Sequence, residues 1–405
     1  MDSDICEKQN YMRIMKKSDI CIATTGLHES IGWKMGEYVA AARGIVSEKL
    51  NYRVPGNFKE EKNYLVFSNI DECIDAVDRL YTSPSTLYQM KKNNEKSIIP
   101  IFFAIDNNYA PFFSVALESI KANSSKNYQY EIYILNNGVC EEYKTLINTY
   151  QDEIYHITFV DLKDRLHSVS HHLHTRDYYS KAIYFRLFIA DLFPEYDKAL
   201  YLDADIVVLG DVADLYNHQL NDKYLGVIKD DVVNSYEEFR RYSKDGLGIP
   251  AYKYFNSGIL VMNLKKFREE KVYHQFLNLL SKVKFIIAPD QDYLNVICHD
   301  KVLYLDETWN KAPLPHVRID QNIKLIHYKL TAKPWHYSDI PYGEYFWKYA
   351  SQSPFYQKIR LILENYSQDD IENDKLIEIA LKKKAIDEIN RLNDCFTIYG
   401  KLQEA

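Results

Sequence analysis

Ala199-Leu200-Tyr201-Leu202-Asp203-Ala204-Asp205-Ile206 decides how this chain reads. Four apolar residues describe a buried strand, and the strand stops at two carboxylates two positions apart. Such a pair can present its oxygens jointly to one hard divalent cation. The crevice beyond the carboxyl ends of the strands is also where open α/β sheets take their ligands. An isolated Asp-x-Asp reads more readily as a solvated turn, so the rest of the sequence has to choose.

Length and composition narrow the choice. The 405 residues suffice for two or three domains, or for one large domain with appendages. A hydrophobic fraction of 46% with 14% aromatics provides an ample core. Lys and Arg number 50 against 57 Asp and Glu, a net of −7 with no basic block, which argues against nucleic acid as a partner. The six cysteines (Cys6, Cys21, Cys73, Cys140, Cys298, Cys395) are scattered without a Cys-x-x-Cys pair. They read as free thiols in a reducing compartment, not a disulfide frame or a zinc site. The polar N-terminus has no signal-peptide pattern, and no apolar stretch approaches the ~18 residues of a spanning helix. The expectation is a cytoplasmic protein, acting in the cytosol or at the inner face of the membrane. Membrane association is peripheral at most, because Glu364, Asp369, Asp370 and Glu372 interrupt the basic and aromatic C-terminal helices.

Three zones follow from the periodicity. In residues 1–95, short apolar strands (Asp19–Ala23, Gly44–Ser47, Tyr64–Phe67) alternate with helices near Lys34–Ala42 and Asp71–Tyr81, the second capped by Asn69 or Ser68. This is βαβ logic, but only about half of a doubly wound domain. The polar run Lys91–Ser97 reads as a linker. Residues 96–340 resume the alternation with strands at Ile98–Ala104, Glu131–Leu135 and Ile154–Val160, and residues 341–405 read as a helical extension without a chemical motif.

Four segments join the Asp pair. Ala104-Ile105-Asp106-Asn107-Asn108-Tyr109 ends the first strand of the second zone and opens a helix, a place suited to nucleotide contacts. Asn256-Ser257-Gly258 is a small-residue turn that lets backbone approach a ligand. Pro289-Asp290-Gln291-Asp292 looks like a helix start with polar groups in its first turn. His327 and Lys333, before Pro334-Trp335, place an imidazole and a cation six residues apart.

These ordered motifs resemble glycosyltransferase family 8, the retaining hexosyltransferases of the GT-A fold, over about Ile98 to Tyr349. The resemblance implies an α/β fold: a Rossmann-like mixed sheet flanked by helices, here with a small N-terminal α/β module and a helical C-terminal extension. It implies transfer of galactose or glucose from UDP-galactose or UDP-glucose with Mn²⁺, Mg²⁺ being the variant. The acceptor would be a glycan of a bacterial surface polysaccharide, lipooligosaccharide or adhesin glycoprotein. Residue by residue, it implies Asp203, Asp205 and His327 as metal ligands and Lys333 at the donor phosphates. Ala104, Asp106, Asn108 and Tyr109 would hold uridine. Arg186, Ala204, Asp230, Asn256, Ser257 and Gly258 would line the donor sugar, with Asp290 and Gln291 at its reactive face. A glutamine is a poor nucleophile, so the resemblance favours a front-face mechanism in which the departing phosphate oxygen takes the acceptor's proton.

Bland readings stand beside these. His327 could be a satisfied core histidine, Lys333 a surface lysine, Arg186 a structural ion pair and Asp230 an ordinary turn residue. The cluster His167, His171, His172 and His174 lacks a rigid ligand frame and reads as a loop near the acceptor, together with residues 231–248. The N-terminal zone, through Gly32–Ala41 and Ile45–Ser47, resembles the donor-binding half of a GT-B glycosyltransferase, with Glu37 at the ribose position. Lacking the partner domain, it reads as a non-catalytic docking or structural module that packs on the catalytic domain or on a partner such as another glycosyltransferase. Two rival functions are a glycogenin-like self-glucosylating enzyme and a non-catalytic sugar-nucleotide-binding partner of another transferase.

Overall fold

The run 199–202 is a buried strand, and what surrounds it is a mixed α/β sheet. The computed structural model of the chain describes residues 8–26, 31, 33–52, 58–94, 98–163, 181–314 and 322–403. The histidine cluster at 167–174 lies outside them. The chain divides into two compact units, Met1–Ile98 with Asn127–Gln129, and Ile99–Lys126 with Tyr130–Ala405.

The first unit holds three parallel strands, β1 (Ile20–Ala23), β2 (Gly44–Glu48) and β3 (Leu65–Phe67), in that order. Alternation along β2 sends Ile45 and Val46, both fully buried, to opposite faces. Ile45 joins Met15, Met35 and Tyr38 on one side, and Val46 joins Ala76, Leu80 and Met90 on the other. Asn69 caps helix Ile70–Thr82 by accepting from the Glu72 amide. Of the expected linker at 91–97, Lys91 to Asn94 belong instead to helix Pro84–Asn94, and residues 95–97 lie outside the described residues. Met90 and Asn94 are buried, and that anchoring outweighs the polar composition.

The second unit is built on seven strands. These are β4 (Ile98–Ala104), β5 (Gln129–Asn136), β6 (Tyr155–Asp161), β7 (Lys198–Leu202), β9 (Leu225–Lys229), β10 (Phe255–Asn263) and β11 (Val302–Tyr304), in the order β11-β9-β10-β7-β4-β5-β6. β10 runs antiparallel to both its neighbours, while β4–β7, β5–β6 and β9–β11 pair in parallel. Strands buried on both faces read as continuous apolar runs, which is how β7 and β10 are written. A separate two-stranded ladder pairs β8 (Ile206–Val208) with β12 (Leu325–His327). The C-terminal helix Gln368–Gln403 is no detached tail, for Leu381, Ala385 and Leu392 are buried in the main core. Among the described residues no helix is long and apolar enough to cross a membrane.

Candidate active site

The site begins where β7 ends. Asp203, Ala204 and Asp205 form the corner between β7, in the large sheet, and β8, in the small ladder. The ladder register opposes His327 to Ile206, and the Tyr328 amide donates to the Asp205 carbonyl at 2.9 Å. Residues more than a hundred positions apart thus meet through backbone pairing. His327 Nε2 lies 3.2 Å from Asp205 Oδ1 and 3.6 Å from Asp203 Oδ2. One ligand atom from each of the three residues lies within 4.8 Å of the others.

The imidazole is oriented by a residue the sequence reading did not single out. The Asn310 amide donates Nδ2 to Asn256 Oδ1 at 3.0 Å, so its Oδ1 faces His327 Nδ1, also at 3.0 Å. An acceptor there places the imidazole proton on Nδ1 and turns the Nε2 lone pair toward the carboxylates, as in metal-ligating histidines. One lone pair and two carboxylates converging on a point suit a divalent cation of the Mn²⁺ or Mg²⁺ kind. Gly258 makes room for this. A Cβ there would stand 2.3 Å from Asp203 Oδ2 and 2.5 Å from His327 Cε1. The glycine expected to admit a ligand is required first by the two side chains themselves. The expected turn at Asn256–Gly258 is instead part of strand β10, with a register shift in the β9–β10 ladder between Asn256 and Leu260, and bulges of this kind re-aim side chains beside active sites.

Three cations surround the carboxylates, all held by protein groups. Lys333 Nζ sits 2.5 Å from Asp205 Oδ2 and also reaches the Tyr328 carbonyl. Arg186, 4% exposed, donates Nη2 to Asp203 Oδ1 at 2.9 Å and Nη1 to Ser257, and its Nε lies 3.2 Å from Asp290 Oδ2. Its guanidinium covers the Tyr201 ring at 4.2 Å. Lys329, buried and unforeseen in the sequence, pairs with Asp231 at 2.6 Å. Burial pushes the Asp205 carboxyl up, but Lys333 and His327 prevail and hold it well below the usual carboxylate range. Burial works against charge on Lys329 as well, yet Asp231 and Asp230 raise its pKa overall. Asp290 moves the other way: burial raises it, Asp203 adds to the rise, and Arg186 opposes.

Gln291 is fixed on every side. Its Oε1 accepts from Asn256 Nδ2 at 2.9 Å and from the Ser257 amide at 3.0 Å, while Nε2 donates to the Tyr254 phenol at 3.2 Å and to Asp230 Oδ2 at 3.3 Å. Asp230 in addition caps helix Asp231–Ser235 through the Val233 amide, so the turn role and the site role coincide. Behind Gln291 lies Asp292, fully buried, which accepts from the Tyr242 and Tyr254 phenols at 2.8 and 2.6 Å. Burial pushes Asp292 up to about 7 against those hydrogen bonds.

In front of Gln291 lies an open cavity. Asp106, Tyr109, Arg186, Asp203, Ala204, Asp205, Asp230, Asn256, Ser257, Asp290, Gln291, His327 and Lys333 all line it, as does Ala104. Gly258 lies behind Asp203, and Asn108 is exposed outside the lining. Asp106 accepts from the Asn108 and Tyr109 amides through Oδ1, closing the turn into helix Ala110–Asn123. Glu37 belongs to the first unit, where it lies against Tyr11, whose phenol burial, Tyr38 and Glu37 together raise.

Comparison with known proteins agrees with this geometry. The family described as "Glycosyl transferase family 8" matches residues 100–339. A lipopolysaccharide 1,2-glucosyltransferase of Escherichia coli K12 is 30% identical over 272 residues, covering 62% of this chain and 76% of the relative. A lipopolysaccharide 1,3-galactosyltransferase of Salmonella typhimurium is 24% identical, with coverages of 66% and 82%. Among solved structures, the galactosyltransferase LgtC bound to donor and acceptor sugar analogues superposes with a TM-score of 0.53 at 25% identity, over 63% of this chain and 96% of that one. The fold alone is shared with the bifunctional glycosyltransferase WbbM, at TM-score 0.59 and 22% identity, over 73% of this chain and 64% of that one. With the match spanning more than half the sequence, the chain belongs to glycosyltransferase family 8 and is a glycosyltransferase of the GT-A fold.

Proposed function

We propose that the protein is a retaining hexosyltransferase that moves galactose or glucose from a UDP-sugar to a glycan of a bacterial cell-surface polysaccharide, lipooligosaccharide or adhesin. The observation that carries this reading is the convergence of Asp203, Asp205 and the Nε2 lone pair of His327 in one cavity with the fixed amide of Gln291. Asp203, Asp205 and His327 are the residues that would hold Mn²⁺, or Mg²⁺ in its place. When bound, the cation neutralises charge developing on the leaving diphosphate. Lys333, already against Asp205, adds positive charge at the same end.

The surrounding groups orient and do not attack. The Gln291 carbonyl is engaged by two donors, and Asp290 is tied to Arg186 and Ser257 Oγ. Neither group is free to act as a nucleophile on the anomeric carbon, which supports the front-face reading. In that reading the departing phosphate oxygen takes the acceptor's proton, and Gln291, Asn256 and Asp230 hold the sugar. Ala104, Asp106 and Tyr109 line the cavity where uridine would lie, with the Tyr109 ring to stack on the base.

The proposal assigns catalysis to residues 96–340, with the helices after 341 as an extension. Residues 1–95 are a GT-B-like, non-catalytic module that docks other glycosyltransferases, and the place of action is the cytoplasm or the inner face of the membrane. UDP release from a panel of nucleotide sugars, with Mn²⁺ and with EDTA, tests the reading. Mn²⁺-dependent turnover of one UDP-hexose is expected. Absence both of turnover and of metal-dependent UDP binding by calorimetry would sink it.

A further inference from the structure

A second cavity adjoins the first, and the two share Val232, Phe239, Lys329, Leu330 and Leu381 as a common wall. The far side of this cavity is the C-terminal helix Gln368–Gln403, through Asp374, Lys375, Glu378 and Lys382. That helix lies beyond the segment matched by the family. We propose that this cavity is an extended acceptor subsite, which holds the neutral sugars of an oligosaccharide beyond the one that is glycosylated. The inference rests on the transferase reading above.

Position is the first argument. Lys329 in the shared wall pairs with Asp231, whose neighbour Asp230 is bonded to Gln291. The second cavity therefore opens at the sugar end of the catalytic cavity. Asp106 and Tyr109, which line the uridine end, take no part in it.

The chemistry of the lining is the second. Its ionised groups balance, with Lys329, Lys375 and Lys382 against Asp339, Asp374 and Glu378. Equal numbers of donors and acceptors around apolar wall suit a neutral ligand rich in hydroxyls better than an anion or a bare apolar chain. Several of these groups are already set. Lys382 Nζ stands 3.9 Å over the Tyr236 ring, Glu378 accepts from Thr331 Oγ1, and Asp374 accepts from the Tyr337 phenol at 2.7 Å. Preset polar groups lower the ordering cost of binding a ligand.

The third argument is strain. Leu330, in the partition, has φ of +53°, a left-handed conformation that costs a leucine on the order of 1–2 kcal/mol. A glycine would adopt it freely, yet the chain keeps a bulky side chain between the two spaces. Leu330 thus stands where the two spaces meet, beside the path an acceptor would take from one to the other.

The test uses the full chain saturated with UDP and Mn²⁺ and fluorescently end-labelled neutral hexose oligomers of one to six residues, α- and β-linked, read by anisotropy. The expected result is affinity rising with length over the first few sugars for one linkage series. Lys382→Ala and Glu378→Gln should each lose about tenfold of that affinity, the effect of one hydrogen bond to a charged group, with UDP-sugar hydrolysis within about twofold of wild type. Binding independent of length, no binding of any oligomer, equal binding by the variants, or preference for oligogalacturonate of the same length would overturn the subsite. Absence both of UDP-sugar turnover and of Mn²⁺-dependent UDP binding by the wild type would instead mark failure of the transferase reading itself.

Discussion

Both units of this molecule are α/β, and both bury polar side chains, but they use them differently. In the first unit Asn63 and Asn94 are buried against each other and against backbone, each amide consumed by the fold. In the second, Arg186, Asp230, Asn256, Ser257, Asp290, Gln291, His327, Lys329 and Lys333 are equally buried, yet they ring an open cavity. A buried polar group is costly unless satisfied, so both units satisfy theirs. The second arranges them around space. The lesson is that sequence resemblance to a nucleotide-binding half, as in the first unit, is weaker evidence for a site than polar groups converging on a cavity.

The sharpest way to break the comparison is to remove one carboxylate from each unit. Asp203→Asn or Asp205→Asn should cut UDP release on the order of a thousandfold, the rate equivalent of several kcal/mol. Glu37→Gln in the first unit should leave the rate within about twofold. Equal effects would erase the distinction between the units. Gly258→Ala comes next, because its Cβ would overlap Asp203 and His327. A shift of about 1 Å in either ligand should cost on the order of a hundredfold in rate. Asn310→Ala, measured by Mn²⁺ titration with UDP present, should weaken metal binding about 10- to 100-fold by freeing the His327 tautomer.

These variants also mark what was legible in the sequence. The strand 199–202, the carboxylate corner and the α/β alternation were readable, because apolar runs and turn residues are local signals. Asn310, Lys329 and the Tyr242–Asp292–Tyr254 cluster were not, since their roles depend on partners many residues away. Asn310 sits in an unremarkable loop and acquires meaning only through β12 and the bulge in β10. Gly258 has a second reason to be small that the sequence did not show: it accommodates Asp203 and His327, which a one-dimensional reading cannot place above it. Of the linker read into Lys91–Ser97, the part to Asn94 is helix, because burial of Met90 and Asn94, a tertiary effect, holds it.

A subtler contrast concerns pH. Asp292 is buried with its pKa raised to about 7 by burial, against the two phenols that donate to it. Its folded pKa lies above its unfolded value near 4, so between those values the native state holds a proton that the unfolded chain has released. Stability should therefore fall as pH rises from about 4 to 7, by up to a few kcal/mol. Asp292→Asn should flatten that stretch of the stability–pH curve measured by chemical denaturation. An unchanged slope would mean that the carboxylate is ionised in the fold.

The smallest expected effect on catalysis tests the first unit alone. The Asn94 Nδ2 donates to the Arg43 carbonyl at 2.9 Å and the Asn63 carbonyl at 2.8 Å, while its Oδ1 accepts from Asn63 Nδ2 at 3.0 Å. These bonds tie the end of helix Pro84–Asn94 to the residue before β2 and to the loop before β3. Asn94→Ala leaves those carbonyls and an amide N–H buried with fewer partners, a loss of about 1–3 kcal/mol local to that unit. Hydrogen exchange should show β2 and β3 opening more readily, with protection of β7 and β10 unchanged. If the module only docks partners, UDP release should stay within about twofold of wild type. A rate that falls in step with the lost protection would make the three-stranded unit part of the catalytic machinery, and the contrast between the two uses of buried amides would have to be redrawn.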